Sequence, residues 1–147
     1  MSFNLGLIKN QEKVILPELS YQIMGVLFDV HKNLGSRYQE KYYQRAVAMG
    51  FDNIGLKYKK ELSVNLSYNS EIIGKYILDF LVEDKIIVEL KTVIRISRED
   101  IKQVLGYLKA EKIELGIIAN FRSEHLIYKR IINSDLKTIR EHSEINS

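Results

Sequence analysis

The chain has 147 residues, 46% hydrophobic and 28% charged, with a net charge of +3 and no cysteine. That balance fits one globular domain and excludes a disordered polyelectrolyte, while the missing thiols exclude disulfides, zinc–thiolate sites and iron–sulfur clusters. No apolar run reaches the roughly 18 residues of a membrane span, and Met1 to Gln11 lacks the basic-then-apolar order of a secretory signal, so a cytoplasmic protein with no membrane partner is expected.

Pro17, the only proline, precedes a strong helical pattern. From Glu18 to Asn33, apolar residues recur at Leu19, Ile23, Val26, Leu27 and Val30, the three-to-four spacing of one helix face. Leu34-Gly35 breaks the pattern, with Gly35 expected as a left-handed cap. A second helix is expected over Tyr38 to Met49, stopping at Gly50, with Glu40, Tyr43 and Gln44 on a shared side.

From Lys57 onward the period becomes two. Leu56, Tyr58 and Lys60 predict a strand, and Leu62, Val64, Leu66 and Tyr68 then alternate with polar residues up to a turn at Asn69-Ser70. Ile72 to Val82 and Lys85 to Val93 predict two more strands, joined by a two-residue hairpin connection at Glu83-Asp84. Ser97-Arg98-Glu99-Asp100 has the form of a capping box, with Asp in place of the more usual Glu or Gln. The helix it opens carries Ile101, Val104, Leu105 and Leu108 on its apolar face, and strands are expected over Leu115 to Phe121 and Leu126 to Ile132. The tail after Asn133 is polar and expected to fray. This order predicts a single α/β domain over 1–147, a sandwich around a mixed sheet with its core at about residues 18–133.

Within Tyr76 to Lys91, two apolar strands carry Asp79, Glu89 and Lys91. Burying an unpaired carboxylate or ammonium is costly, so charge in such strands needs a compensating partner. Glu89 and Lys91 share a strand face. With Val82 paired to Lys85, Asp79 falls opposite Val88, so convergence of Asp79 with Glu89 requires a bulge, a bend or splayed strands. Two converging carboxylates and the Leu90 carbonyl form an oxygen-rich set suited to Mg²⁺ or Mn²⁺. Such an ion polarises a phosphoryl oxygen and generates hydroxide from bound water, with Lys91 placed to orient the water or stabilise charge on phosphorus. Glu40, from the second helix, is a further candidate ligand through water or a second ion.

Asp79 followed by Glu89-Leu90-Lys91 resembles the PD-(D/E)XK nuclease superfamily. Over about Leu19 to Ile132 the chain resembles its GxxExxY family more closely. The matching elements are Val30-His31 and Leu34-Gly35 leading to Glu40-Lys41-Tyr42-Tyr43, then Asp79 to Lys85, Val88-Glu89-Leu90-Lys91, Gln103 with Tyr107-Leu108, and Gly116 to Asn120-Phe121. The chain departs at Gly35-Ser36-Arg37, where a second glycine is more usual. The resemblance implies a restriction-endonuclease-like core, a central mixed sheet flanked by helices, and metal-dependent cleavage of DNA. It implies catalytic positions for Glu40, Asp79, Glu89 and Lys91, and a motif at Gln103 and Tyr107 that supports the site or contacts nucleic acid. The rival reading is a non-catalytic module that keeps the fold and binds nucleic acid or protein.

Plainer roles are expected elsewhere. His31 reads as a helix-end or packing residue, Tyr42, Tyr43 and Tyr107 as half-buried packing residues, and Asn120-Phe121 as a strand end. Lys57, Lys59, Lys60, Arg95, Arg98, Arg122, Lys129 and Arg130 are candidate phosphate contacts, although most are expected to belong to a solvated face. Arg95 and Arg98 are the preferred phosphate contacts, because they follow the Lys91 strand toward the Gln103 helix.

Overall fold

In a computed structural model describing residues 15–135, the order is α1 (Pro17–Leu34), α2 (Glu40–Asn53), β1 (Tyr58–Tyr68), β2 (Glu71–Val82), β3 (Ile86–Lys91), α3 (Arg98–Glu111), β4 (Leu115–Asn120) and β5 (Ile127–Ile132). Expectations for the first eleven residues and for the end of the polar tail lie outside the described residues. The strands form one sheet in the order β1-β2-β3-β4-β5. The β3–β4 pair is parallel, joined through α3, and the other pairs are antiparallel. Parallel neighbours need such a crossover, and it places a helix on the sheet face.

The apolar pattern of each element follows from this layering. α1 and α2 cover one face, burying Ile23, Leu27, Tyr43, Val47 and Phe51 against Phe80, Val82, Ile86, Val88, Leu90 and Ile117. α3 covers the other, where Val104 and Leu108 meet Leu78, Leu81, Ile87 and Ile118. β3 and β4 are therefore apolar on both sides, which is why their sequences do not alternate. No described helix is long and apolar enough to cross a membrane.

Several boundaries differ from the sequence expectation. α2 begins at Glu40 and runs through Gly50 to Asn53. Gly50 is a packing glycine: a Cβ there would lie 2.5 Å from Val26 Cγ1 of α1, so the two helices approach closely at this point. The turn after α2 instead uses Gly55, at φ 74°. Gly35 has φ 77° and ψ −154°, a glycine conformation outside the left-handed helical basin expected for it. β1 is one continuous strand from Tyr58, with Leu56 buried ahead of it. Tyr107 packs in the cluster under α3 with Leu105.

The Gly50 contact gives a direct expectation. Gly50→Ala overpacks a β-branched neighbour with little rotamer freedom, and should lower stability by about 1–3 kcal/mol. Urea unfolding would read this as a lower midpoint at unchanged slope.

Candidate metal centre

The site is built by a one-residue shift in the β2–β3 hairpin. Glu83 and Asp84 both have positive φ, at 52° and 55°, and the Lys85 N–H donates to the Val82 carbonyl at 2.9 Å, closing the tight turn. The ladder then resumes with Val82 opposite Ile86, Leu81 opposite Ile87 and Phe80 opposite Val88. Lys85 is thus an extra residue, and the expected Val82–Lys85 register is wrong by one place. Extended one residue beyond the paired strands, that register brings Asp79 opposite Glu89. The bulge that their convergence required sits at the hairpin end.

At that rung the carboxylates take over from the ladder. The Asp79 N–H donates to Glu89 Oε1 at 3.2 Å, and the Leu90 N–H donates to Asp79 Oδ2 at 2.7 Å. The backbone also bends here. Glu61, on the facing part of β1, has φ 56°, and both strands switch faces. Tyr58, Phe80 and Val82 join the core under α1 and α2, whereas Leu62, Tyr76 and Leu78 join the one under α3. Asp79 and Glu89 are only 7% and 4% exposed.

α2 completes the cluster from the side. Its first residue, Glu40, brings a carboxylate toward Asp79 and Glu89, and one ligand oxygen from each of the three lies within 4.8 Å of the others. One turn on, Gln44 Nε2 donates to Asp79 Oδ1 at 3.1 Å. Tyr43, fully buried, donates its hydroxyl to the Gly35 carbonyl at 2.6 Å and accepts from the Tyr38 N–H at 3.3 Å, fixing the loop that delivers Glu40. Its ring stacks on Phe121 at 4.5 Å between centroids.

Lys91 closes β3 beside this cluster. Its Nζ is 3.5 Å from Asp100 Oδ1, in a pair that is largely shielded from solvent. Asp100 Oδ2 accepts the Ser97 N–H at 2.9 Å, so one carboxylate caps α3 and holds the lysine beside the acids. Burial alone would raise the Asp100 carboxyl, but hydrogen bonds from Ser97, together with the attraction and hydrogen bond of Lys91, bring it below its usual value.

The three acids are electrostatically strained. Burial, then hydrogen bonding and repulsion from Asp79, push Glu89 from 4.5 up to about 10, against the opposing pull of Lys91. Glu40 is also raised, chiefly by burial and then by Asp79. Buried carboxylates crowded in this way favour either a shared proton or a cation. The donors are all hard oxygens, with no sulfur or imidazole, which fits Mg²⁺, Mn²⁺ or a similar ion better than a soft metal.

Other residues singled out by sequence stand farther back. The Gln103 carbonyl accepts the Tyr76 hydroxyl at 2.9 Å, and Tyr107 is half-buried. Arg95 and Arg98 are exposed, and no hydrogen bond or ion pair joins Gln103, Tyr107, Arg95 or Arg98 to the acids. His31 Nε2 lies 2.9 Å from the Ser123 carbonyl and its ring tilts against Phe121, a packing role. Arg130 bonds the Ile15 carbonyl at 3.1 Å, and Lys59 pairs with Asp84 in solvent. Asn120 does more than end a strand: almost fully buried, it accepts from the Val93 N–H at 3.1 Å and donates to the Val93 carbonyl at 2.7 Å. Gln44 was visible in sequence only as a neighbour of Glu40 on the helix, and Asp100 only as a cap.

Comparison with known proteins agrees with this geometry. A family model of the PD-(D/E)XK nuclease superfamily matches residues 17–131, which include all the elements that carry the cluster. No curated protein and no solved structure gives a significant match.

Proposed function

The chain belongs to the PD-(D/E)XK nuclease superfamily, and from that premise we propose that it is a metal-dependent nuclease hydrolysing DNA phosphodiester bonds, of the GxxExxY type and active in the cytoplasm. The observation that carries this reading is the buried meeting of Glu40, Asp79 and Glu89 next to Lys91. In an extended strand, the N–H and C=O of one residue point to the same side. The Leu90 N–H reaches Asp79, so its carbonyl is directed into the same gap and would join Asp79 and Glu89 as a ligand. Glu40 would contribute through water.

A bound divalent ion supplies Lewis-acid polarisation and acidifies water. The protein's part is positional. Asp79 is fixed by Gln44 and the Leu90 N–H, and Glu89 by the Asp79 N–H. Lys91, held at Asp100, donates to the attacking water or to the equatorial oxygens as charge builds on phosphorus. Water adds to phosphorus, one P–O bond to sugar breaks, and a phosphate monoester and a free hydroxyl result.

The test is cleavage of single- and double-stranded DNA and RNA in Mg²⁺ or Mn²⁺, with Lys91→Ala beside wild type. Losing one positioned donor should lower kcat by about a hundredfold or more. Metal-dependent cleavage of RNA alone would correct the substrate class. Nucleic-acid binding with no cleavage in either metal would replace the enzyme with a binding module of the same fold.

A further inference from the structure

Beside the acid cluster lies a groove of about 540 Å³ lined by Ser36, Arg37, Tyr38, Gln39, Thr92 and Arg122. It adjoins the site on two sides, since Gln39 precedes Glu40 and Thr92 follows Lys91. No carboxylate lines it, although three crowd the neighbouring centre. Arg37 and Arg122 are exposed, and neither guanidinium has an ion pair or side-chain hydrogen bond among the described residues. A groove lined by two cationic side chains and no acid favours an anion over a cation.

The walls are held by buried groups. Tyr43 bonds the Gly35 carbonyl and the Tyr38 N–H, which bracket Ser36 and Arg37. Asn120 ties Val93 to the end of β4 and accepts from the Arg122 N–H at 3.3 Å, while the Phe121 N–H donates to the Lys91 carbonyl at 2.9 Å. Tyr43 stacks on Phe121, joining the two walls. The arginines therefore stand on a fixed backbone, and only their side chains need ordering when a ligand binds. Planar guanidinium forks match the oxygens of a phosphate.

We propose that this groove is a phosphate subsite, in which Arg37 and Arg122 hold a nucleic-acid phosphate next to the one to be cleaved. The identity of the ligand rests on the nuclease reading; the anion preference rests on the groove itself. Holding the neighbouring phosphate fixes which bond of the strand lies over Asp79 and Glu89. Arg95 and Arg98, the sequence favourites, line no part of this groove.

The experiment is equilibrium binding of fluorescent oligonucleotides in EDTA over a salt series, with Arg37→Ala, Arg122→Ala and the double variant. Arg45→Ala, an exposed arginine outside the groove, is the charge control. Each groove variant should weaken binding several-fold more than the control, and should reduce the slope of log K against log salt by about 0.7 to 0.9. Thermal melting checks that the variants fold. Oligonucleotides with and without a 5′-phosphate assign the subsite to a strand end or to an internal diester, and either assignment supports it. Groove variants indistinguishable from Arg45→Ala would overturn the proposal, as would a wild-type protein that binds no oligonucleotide. Wild-type protein that binds through the arginines without cleaving removes the nuclease reading and leaves the subsite. Groove variants that cleave with wild-type KM do the reverse.

Discussion

Asp79→Asn should abolish metal-dependent cleavage while leaving the fold intact. The substitution is nearly isosteric, and both hydrogen bonds of the carboxylate can be kept. The Asn oxygen can accept the Leu90 N–H in place of Oδ2, and Gln44 can turn its amide to present an oxygen to the new NH₂ group. What disappears is the charge at the centre of the cluster. Metal-ion stabilisation of a transition state is worth several kcal/mol, and each 1.36 kcal/mol is tenfold in rate, so kcat should fall by about a thousandfold or more. Removing one of three crowded acids also relieves repulsion on Glu89 and Glu40, both held above their usual range by burial first and by Asp79 in addition. The metal-free variant should therefore melt no lower than wild type, and should lose the upward melting shift that Mn²⁺ gives wild type. A variant that still cleaves at a tenth of the wild-type rate would remove Asp79 from the centre.

The fate of Asp79 in the sequence reading shows what periodicity carries and what it misses. Charge inside apolar strands was visible because burial makes it anomalous, and the two-faced burial of β3 explains why Ile86 to Val88 reads as a continuous apolar run before Glu89 interrupts it. The register was not visible. A tight turn at Glu83-Asp84 is consistent with either Lys85 or Ile86 opposite Val82, and one residue decides which face each side chain takes. The same limit applies to Gly50. A glycine inside a helical pattern reads as a terminator, and only the approach of Val26 shows it to be a packing device. Gln44, Asp100 and Asn120 act through tertiary contacts 35, 9 and 27 residues away in sequence. No local pattern encodes such partners. Arg122 was one of several candidate phosphate contacts in the sequence, but its pairing with Arg37 was hidden for the same reason, since the two come from separate loops whose flanking residues Tyr43 and Phe121 stack in the fold.

The pH dependence of metal binding follows from Glu89 and has a definite sign. Its carboxyl is raised from 4.5 to about 10 in the folded protein, so at neutral pH the metal-free site holds a proton that the unfolded chain would release. The stability this gives the metal-free protein is fully present below about 4.5 and is lost as pH rises toward 10. Over that window the slope is at most one proton's worth, about 1.4 kcal/mol per pH unit. Metal binding runs the other way, because a carboxylate ligand must be deprotonated and the ion has to displace the proton. Apparent affinity for Mn²⁺ or Mg²⁺ should rise close to tenfold per pH unit between about pH 6 and about pH 9, with about one proton released per ion. Calorimetry of Mn²⁺ binding in buffers of different ionisation enthalpy counts that proton directly. Glu89→Gln should bind the ion weakly at every pH and flatten both slopes, since an amide holds no exchangeable carboxyl proton. An affinity independent of pH in wild type would place the ion elsewhere and separate the buried acid pair from metal binding.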